Sequence, residues 1–401
     1  MKGILSVQRD EYIQAALAFS GQPLIKVLVG QRRVGKSVLL RQLEQALVDR
    51  MGRPQVVFLD LEVFENRGLR TAEAFHAWVR AQNTGTGPAA LLVDEIQDID
   101  RFEEVLRSLL NEGRWDLYVT GSNARMLSGE LATLLAGRYV AVPVFGLGYR
   151  EFLQFHGLTD GDPAFFSYLR WGGLPQLAFL PADEDLRRDY LDNILSSVFL
   201  KDVVARHSIR HVDFLQRLSE YVADTTGSLL SVRRISEFLK SQKFSLSPAV
   251  VADYLDHLAS AFLVFRVPRE DLVGKRLLEV GEKWYFQDLG LKASLAGFEN
   301  RHLSGVVENA VFLHLKTQGW ALTVGQWGAR EIDFVARRGT EMLYVQAGYL
   351  ISDDEVRQRE FGNLLALGDN HPKVVVSMDP LRADERGIRH LHLREFLARD
   401  W

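Results

Sequence analysis

The segment Gly30-Gln-Arg-Arg-Val-Gly-Lys-Ser37 fits the pattern G-x-x-x-x-G-K-[ST], between an apolar run (Ile25, Val27, Leu28, Val29) and a helical one (Val38, Leu39, Leu40, Leu43). Strand, glycine loop and helix in that order commit the start of the chain to an α/β unit with a phosphate site at the turn. Glycine at 30 and 35 lets successive backbone N–H groups point at phosphate oxygens at a distance that a Cβ would obstruct. Lys36 supplies a point charge for the β- and γ-phosphates, Ser37 Oγ a ligand for Mg2+, and the helix N-terminus a positive field. The expected cradle for ATP therefore runs through Gly30, Gln31, Arg32, Arg33, Val34, Gly35, Lys36, Ser37 and Val38. Arg32 and Arg33 either steer the triphosphate or bond to neighbouring loops.

Residues 1–150 alternate strand and helix. Val56–Leu59 leads into Asp60, Ala90–Val93 into Asp94 and Glu95, and Leu117–Thr120 into Gly121, Ser122 and Asn123, while Val140–Val144 closes the set. Runs this apolar fit strands covered on both faces, and the helical patterns between them (Thr71–Arg80, Phe102–Leu110) predict a parallel sheet. Ligands of such sheets sit at the carboxyl ends of the strands, where Ser37, Asp94, Ser122 and Asn123 all fall. Asp94 is placed to reach the Mg2+ hydration shell, and Glu95 to polarise a water for in-line attack on the γ-phosphate. Ser122 and Asn123 offer neutral polar groups near the γ-phosphate or the water; the alternative is a helix cap and turn. Arg138 is a candidate finger for a neighbouring subunit's γ-phosphate, with a structural ion pair as the alternative and Arg125 in reserve.

At 401 residues the chain is long for one core, so two or three domains are expected. The absence of cysteine excludes disulfides, thiol catalysis and thiolate metal sites. The ten histidines show no metal-ligand spacing, and His390 and His392, alternating along a strand, read as ordinary surface residues. No apolar run approaches the roughly 20 residues of a membrane helix, and Met1 to Ile4 lacks a signal-peptide core, so no membrane partner and a cytoplasmic location are expected. A net charge of −4 gives no global pull toward nucleic acid, so DNA contact requires a local basic patch.

Residues 151–225 turn helical (Tyr149–Gln154, Ala164–Arg170, Leu186–Val204), with a break at Gly172-Gly-Leu-Pro175. Residues 226–295 read as a winged helix: helices Val232–Ser241 and Pro248–Ser260, then strands Phe262–Val267 and Lys283–Phe286. Residues 296–401 form a further α/β pattern, with helices Val306–Lys316 and Asp354–Leu367 and strands at Ile332–Ala336, Leu343–Ala347 and Val374–Ser377.

Several motifs occur together: the loop G-x-R-R-x-G-K-S, Val93-Asp-Glu-Ile-Gln97, Thr120-Gly-Ser122, Glu130-Leu-Ala-Thr133 with Ala136-Gly-Arg138, Gly172-Gly-Leu-Pro175, and Lys283-x-Tyr-x-x-Asp-x-Gly290 followed by Glu308-Asn309. With them the chain resembles the bacterial and archaeal AAA+-type ATPases that carry a C-terminal domain of unknown function. The resemblance implies an α/β fold: a P-loop NTPase parallel sheet, a helical lid beginning near Gly172, a winged helix and a C-terminal restriction-endonuclease-like α/β domain. It implies an ATPase core that binds ATP and leaves the substrate open.

Nucleases of the PD-(D/E)xK type hold Mg2+ with strand carboxylates, often with a helical Glu, and position the attacking water with a lysine. Glu308 fits the helical position and Asp333 the first strand, but Gln346 cannot be an anionic ligand and Gly348 stands where the lysine belongs. The expectation is a nuclease-like domain without nuclease activity, with Glu308 and Asp333 bonded to backbone amides or to Arg330. The second winged-helix helix carries Asp253 and Asp256 and no Lys or Arg, which argues against major-groove readout. Arg233, Arg234, Lys240 and Lys243 on the preceding helix and Lys275 and Arg276 on the wing are the candidate contacts to DNA phosphates; the alternative is a solvated charged face. Two function classes follow: an ATP-driven machine on nucleic acid, or an ATP-dependent switch acting through protein contacts. A finger in trans further requires a homo-oligomer.

Overall fold

The apolar runs of the first part of the chain fold as five strands: β1 (Ile25–Val29), β2 (Val56–Asp60), β3 (Ala89–Asp94), β4 (Trp115–Gly121) and β5 (Tyr139–Pro143). In this computed structural model they order as β2-β3-β4-β1-β5, every pair parallel. The structure describes residues 7–82, 84–122, 135, 137–207, 209, 211–241, 246–274, 276–351 and 353–401, apart from the side chains of 279 and 280. The strands belong to one of two units, Met1–Phe145 with Ser260–Phe262; the other is Gly146–Ala259 with Leu263–Trp401. Every residue of β1, β3 and β4 is buried, which is why these runs lack the alternation of a half-exposed strand. β4 lies between β1 and β3, so its end at Thr120–Ser122 separates the loop after β1 from Asp94 after β3. At the amino-terminal ends of the central strands β1 and β4, Lys26 is fully buried and paired with Asp116, which also accepts from Ser20 Oγ (2.9 Å), Gly21 N (3.1 Å) and Tyr118 OH (2.9 Å).

The second unit is built on seven strands: β6 (Val264–Asp271), β7 (Arg276–Phe286), β8 (Ala321–Trp327), β9 (Arg330–Arg338), β10 (Glu341–Ala347), β11 (Lys373–Ser377) and β12 (Arg389–His392). Their order is β12-β11-β10-β9-β8-β6-β7. The helices Val232–Ser241 and Pro248–Ser260 stand where the winged-helix pattern places them. The strands after them do not form a separate wing: β6 pairs in parallel with β8 through Arg269–Asp271, so one sheet crosses the expected boundary at 295/296. The boundary at 225/226 is crossed as well. Tyr149, Phe152, Phe165 and Tyr168 of the expected lid share one apolar cluster with Phe312, Phe334, Val345 and Phe396.

The family motifs of this unit meet in space. Asp288 caps the helix Leu289–Ala296 at Leu291 N (3.0 Å), and its other oxygen accepts Gly173 N (2.7 Å). A Cβ on Gly173 would lie 2.2 Å from Leu147 O, and one on Gly290 2.1 Å from Trp171 O. Asn309 bonds Phe286 through both groups, accepting from N at 2.7 Å and donating to O at 2.9 Å.

His390 is not a surface residue. It is 1 % exposed, with Nδ1 accepting from Ala383 N (3.0 Å) and Nε2 2.8 Å from Ser377 Oγ, while His392 is half-buried and its Nδ1 accepts from Arg394 N. Two-residue alternation put the pair on one face of β12 correctly, and that face turns inward.

His314 is buried, and burial pushes its pKa down to about 4. The unfolded chain binds this proton below about pH 6.5 and the folded chain does not, so stability is present at neutral pH and is lost as pH falls toward 4. The loss from this group amounts to roughly 3 kcal/mol. We expect His314→Gln to flatten the fall in unfolding free energy between pH 6.5 and 4; an unchanged slope in urea titrations would remove His314 as its source. Among the described residues no helix is long and apolar enough to cross a membrane.

Candidate nucleotide site

The loop from Gly30 to Lys36 joins β1 to the helix Lys36–Met51, whose cap, Gly35, has φ +99 in the left-handed region. A Cβ on Gly30 would stand 2.2 Å from Val144 O, and Val144 N in turn donates to Val29 O at 2.7 Å. The segment leaving β5 therefore presses on the start of the loop, and only glycine fits there. Lys36 is 4 % exposed and its Nζ donates to Gly30 O and Gln31 O, both at 2.9 Å, so the ammonium is held over the loop backbone. Arg33 (φ +68) is exposed, Arg32 and Val38 are half-buried, and Val34 is buried.

Asp94 closes the site from β3. It is 2 % exposed, and its Oδ1 accepts from Thr120 Oγ1 at 2.5 Å, while the nearby Ser37 hydroxyl also favours its charged form. Burial pushes its pKa up and the nearby Glu95 and Asp60 carboxylates add to the rise, against the Thr120 and Ser37 bonds. A buried carboxylate under that pressure is stabilised by a cation. The oxygen donors Ser37 Oγ and Asp94 meet at the mouth of the loop and suit a hard ion such as Mg2+.

Glu95 follows in the left-handed region (φ +53), so the chain turns sharply and its carboxylate leaves the line of the strand. Its backbone N donates to Thr120 Oγ1 at 2.8 Å, and its carboxylate takes a hydrogen bond from Gln97 Nε2. Thr120 thus ties both acidic residues to β4. The register Val29↔Gly121 sets Ser122 beside Gly30, across from the loop. Ser122 Oγ and both amide atoms of Gln31 are fully buried without a hydrogen-bond partner among the described residues. Orphaned polar atoms of this kind cost about 1–3 kcal/mol each and fit a site that a polar ligand completes.

Asn123 falls outside the described residues, as does Arg125. Arg138 stands at the start of β5, where Tyr139 is paired with Ile25, so the whole length of β1, about 15 Å, separates it from its own phosphate loop. Its guanidinium is exposed and donates to Asn111 Oδ1 at 2.7 Å. Arg138 thus stands at the opposite end of β1 from its own phosphate loop.

Sequence reasoning missed Arg9. It is 6 % exposed, lies over the Tyr12 ring at 4.4 Å, and its Nη1 donates to Val34 O (3.3 Å) and Phe145 O (2.9 Å). One side chain from the first helix (Asp10–Leu17 is its body) braces both the phosphate loop and the segment after β5. We expect Arg9→Ala to weaken ATP binding about 10-fold, the worth of one charged hydrogen bond, with partial recovery in Arg9→Lys. Equal affinities in a fluorescent-ATP titration would deny the brace.

The chain is similar to known proteins over most of its length. Residues 22–153 match an AAA domain, and residues 162–302 match a domain of unknown function (DUF8612). An uncharacterized protein of Haemophilus influenzae is 32 % identical over 377 residues, covering 92 % of this chain and 93 % of that one. The chain belongs to that protein's family of AAA-domain proteins. An uncharacterized protein of Methanocaldococcus jannaschii is 27 % identical to this AAA-domain protein over 312 residues, covering 74 % of the chain and 67 % of the relative. Among solved structures, the Walker-type ATPase paby2304 of Pyrococcus abyssi aligns with a TM-score of 0.52 at 14 % identity, over 72 % of this chain and 95 % of that one. That likeness concerns the fold. The AAA-domain protein thus carries an AAA-type P-loop ATPase domain with the parallel five-stranded sheet described above.

Proposed function

We propose that the protein hydrolyses ATP to ADP and phosphate with Mg2+ and uses the cycle to drive a conformational change. The observation that carries this reading is the junction at Asp94, where Ser37 of the loop and Thr120 of β4 converge on one buried carboxylate beside Glu95. Lys36 holds the β- and γ-phosphates, while Ser37 and Asp94 hold the ion. Mg2+, when bound, neutralises charge on the phosphate oxygens. Glu95 accepts the proton of the attacking water, and Ser122, with Asn123, orients that water or the γ-phosphate by neutral hydrogen bonds. Arg138 acts on a neighbouring chain's nucleotide, the role its distance from its own loop leaves open. Solution mass measured with and without ATP tests it. An ATP-dependent oligomer that Arg138→Ala deprives of turnover is expected, and a strict monomer under both conditions removes the finger.

The second unit we read as lid (151–225), winged-helix segment (226–295) and nuclease-like domain (296–401) acting as one body, the output end of the cycle. Protein–protein switching is favoured over DNA as that output. Arg233 is paired with Glu237 (3.1 Å), Arg276 faces Asp271 (4.0 Å), and Asp253 and Asp256 are exposed on the would-be recognition helix. Arg234 and Lys240 are exposed, and Lys243 and Lys275 lie outside the described residues. Binding to a generic duplex at about 50 mM salt, where phosphate contacts are strongest, would restore the nucleic-acid reading.

A further inference from the structure

Inside the seven-stranded unit three carboxylates meet one ammonium. Lys283 of β7 is 2 % exposed, and its Nζ stands 2.8 Å from Glu308 Oε1, 2.8 Å from Asp333 Oδ1 and 2.9 Å from Glu331 Oε1. The contacts to Glu308 and Asp333 are hydrogen bonds, and the contact to Glu331 is an ion pair. Glu308 Oε1 also accepts from Tyr285 OH at 2.5 Å, and Asp333 Oδ2 from Ala347 N at 3.0 Å. Burial works against the charge on Lys283, yet Asp333, Glu308, Tyr285 and Glu331 outweigh it and hold the lysine well above its ordinary range.

Glu308 and Asp333 are the residues that the sequence assigned to a nuclease metal site, and the reason given there for inactivity needs correction. An amine is present; it comes from β7 rather than from position 348, and it, rather than Arg330, is the partner of both carboxylates. Sterics do not explain Gly348, since a Cβ there would meet only Ile351, at 3.5 Å. Gln346 is fixed as an amide by its two partners: Oε1 accepts from Asp333 N at 2.9 Å, and Nε2 donates to Glu360 Oε2 at 2.6 Å. A carboxylate at 346 would set oxygen against oxygen at Glu360.

This cluster does not fit a divalent ion. Mg2+ takes oxygens at about 2.0–2.1 Å and Ca2+ at about 2.3–2.6 Å, whereas the oxygens here stand at hydrogen-bond distance from a nitrogen already in their midst. Among the described residues no group of three or more His, Asp or Glu side chains is arranged for a metal. We propose that Lys283 is a built-in cation standing where a metal would, closing the cluster of Glu308, Glu331 and Asp333 to divalent ions while tying β7, the helix Leu303–Thr317 and β9 together. Buried among these carboxylates and held charged, the amine has no lone pair with which to take a proton from water.

The test is thermal unfolding of the nucleotide-free full chain in EDTA, Ca2+ or Mn2+. Wild type is expected to melt at one temperature in all three as far as this cluster is concerned: any ion-dependent shift should survive Asp333→Asn. Lys283→Ala should melt roughly 10 °C lower in EDTA, because three carboxylates lose their cation, and Ca2+ or Mn2+ should recover part of that loss. Adding Asp333→Asn to Lys283→Ala should abolish the recovery. A Lys283→Ala protein that melts like wild type, or that stays indifferent to both ions, overturns the proposal. If Lys283→Ala does not fold, Mn2+ titration of wild type decides: binding lost on Asp333→Asn overturns it, and the absence of such binding upholds it.

Discussion

Replacing Glu95 with glutamine is expected to lower ATP turnover by about 100-fold or more while leaving ATP affinity within a few-fold of wild type. Glutamine keeps the shape of the side chain and the backbone bond to Thr120, and the left-handed turn at 95 is set by the chain rather than by the carboxylate. What it loses is the ability to take a proton. Gln97, whose amide donates to the Glu95 carboxylate, is the positioning partner in this account. Nucleotide binding by equilibrium titration and turnover by phosphate release separate the two effects. Turnover unchanged in Glu95→Gln would mean that another group, or no group, serves as base.

The second large effect is structural. A Cβ on Gly290 would stand 2.1 Å from Trp171 O, 2.6 Å from Trp171 C and 3.0 Å from Asp288 Oδ1, atoms that are backbone or held by backbone bonds. Gly290→Ala must therefore push the helix Leu289–Ala296 off the Gly172–Gly173 turn, breaking the bonds of a buried carboxylate. Overpacking and the lost bonds together should cost about 3–5 kcal/mol of the second unit's stability. Gly362→Ala is the control, since a Cβ there meets nothing within 4 Å and the residue lies in the helix Asp354–Leu365. It should change stability by less than about 1 kcal/mol, in the stabilising direction. Equal urea midpoints for the two variants would show that the motif spacing Asp288-x-Gly290 has some other cause.

The first unit was largely legible in the sequence because its information is local. Buried parallel strands are continuous apolar runs, so β1 with its glycine loop, β3 ending at Asp94 and β4 ending beside Ser122 could be placed without coordinates. Arg9 was not legible: its partners are the carbonyls of Val34 and Phe145, and a carbonyl has no sequence signature. Arg138 was read as a finger for a neighbouring subunit's nucleotide, and only the pairing of Tyr139 with Ile25 shows which end of the sheet it occupies.

In the second unit the elements were legible and their partners were not. The strand containing Lys283 was expected, but nothing local says that β6 and β7 continue a sheet whose other strands begin only at Ala321. The lysine was sought two residues after Gln346 because catalytic patterns are written along one strand. Its place among Glu308, Glu331 and Asp333 is set by strand order, which periodicity does not encode.

The most direct test of the account is phosphate release from ATP by the purified full chain, followed with Mg2+ and with EDTA beside Lys36→Ala. The account predicts release that requires Mg2+ and disappears in Lys36→Ala, whose missing ammonium leaves the phosphates without their point charge. Release that persists in Lys36→Ala, or wild-type release no greater than that of Lys36→Ala at any Mg2+ concentration, would contradict it.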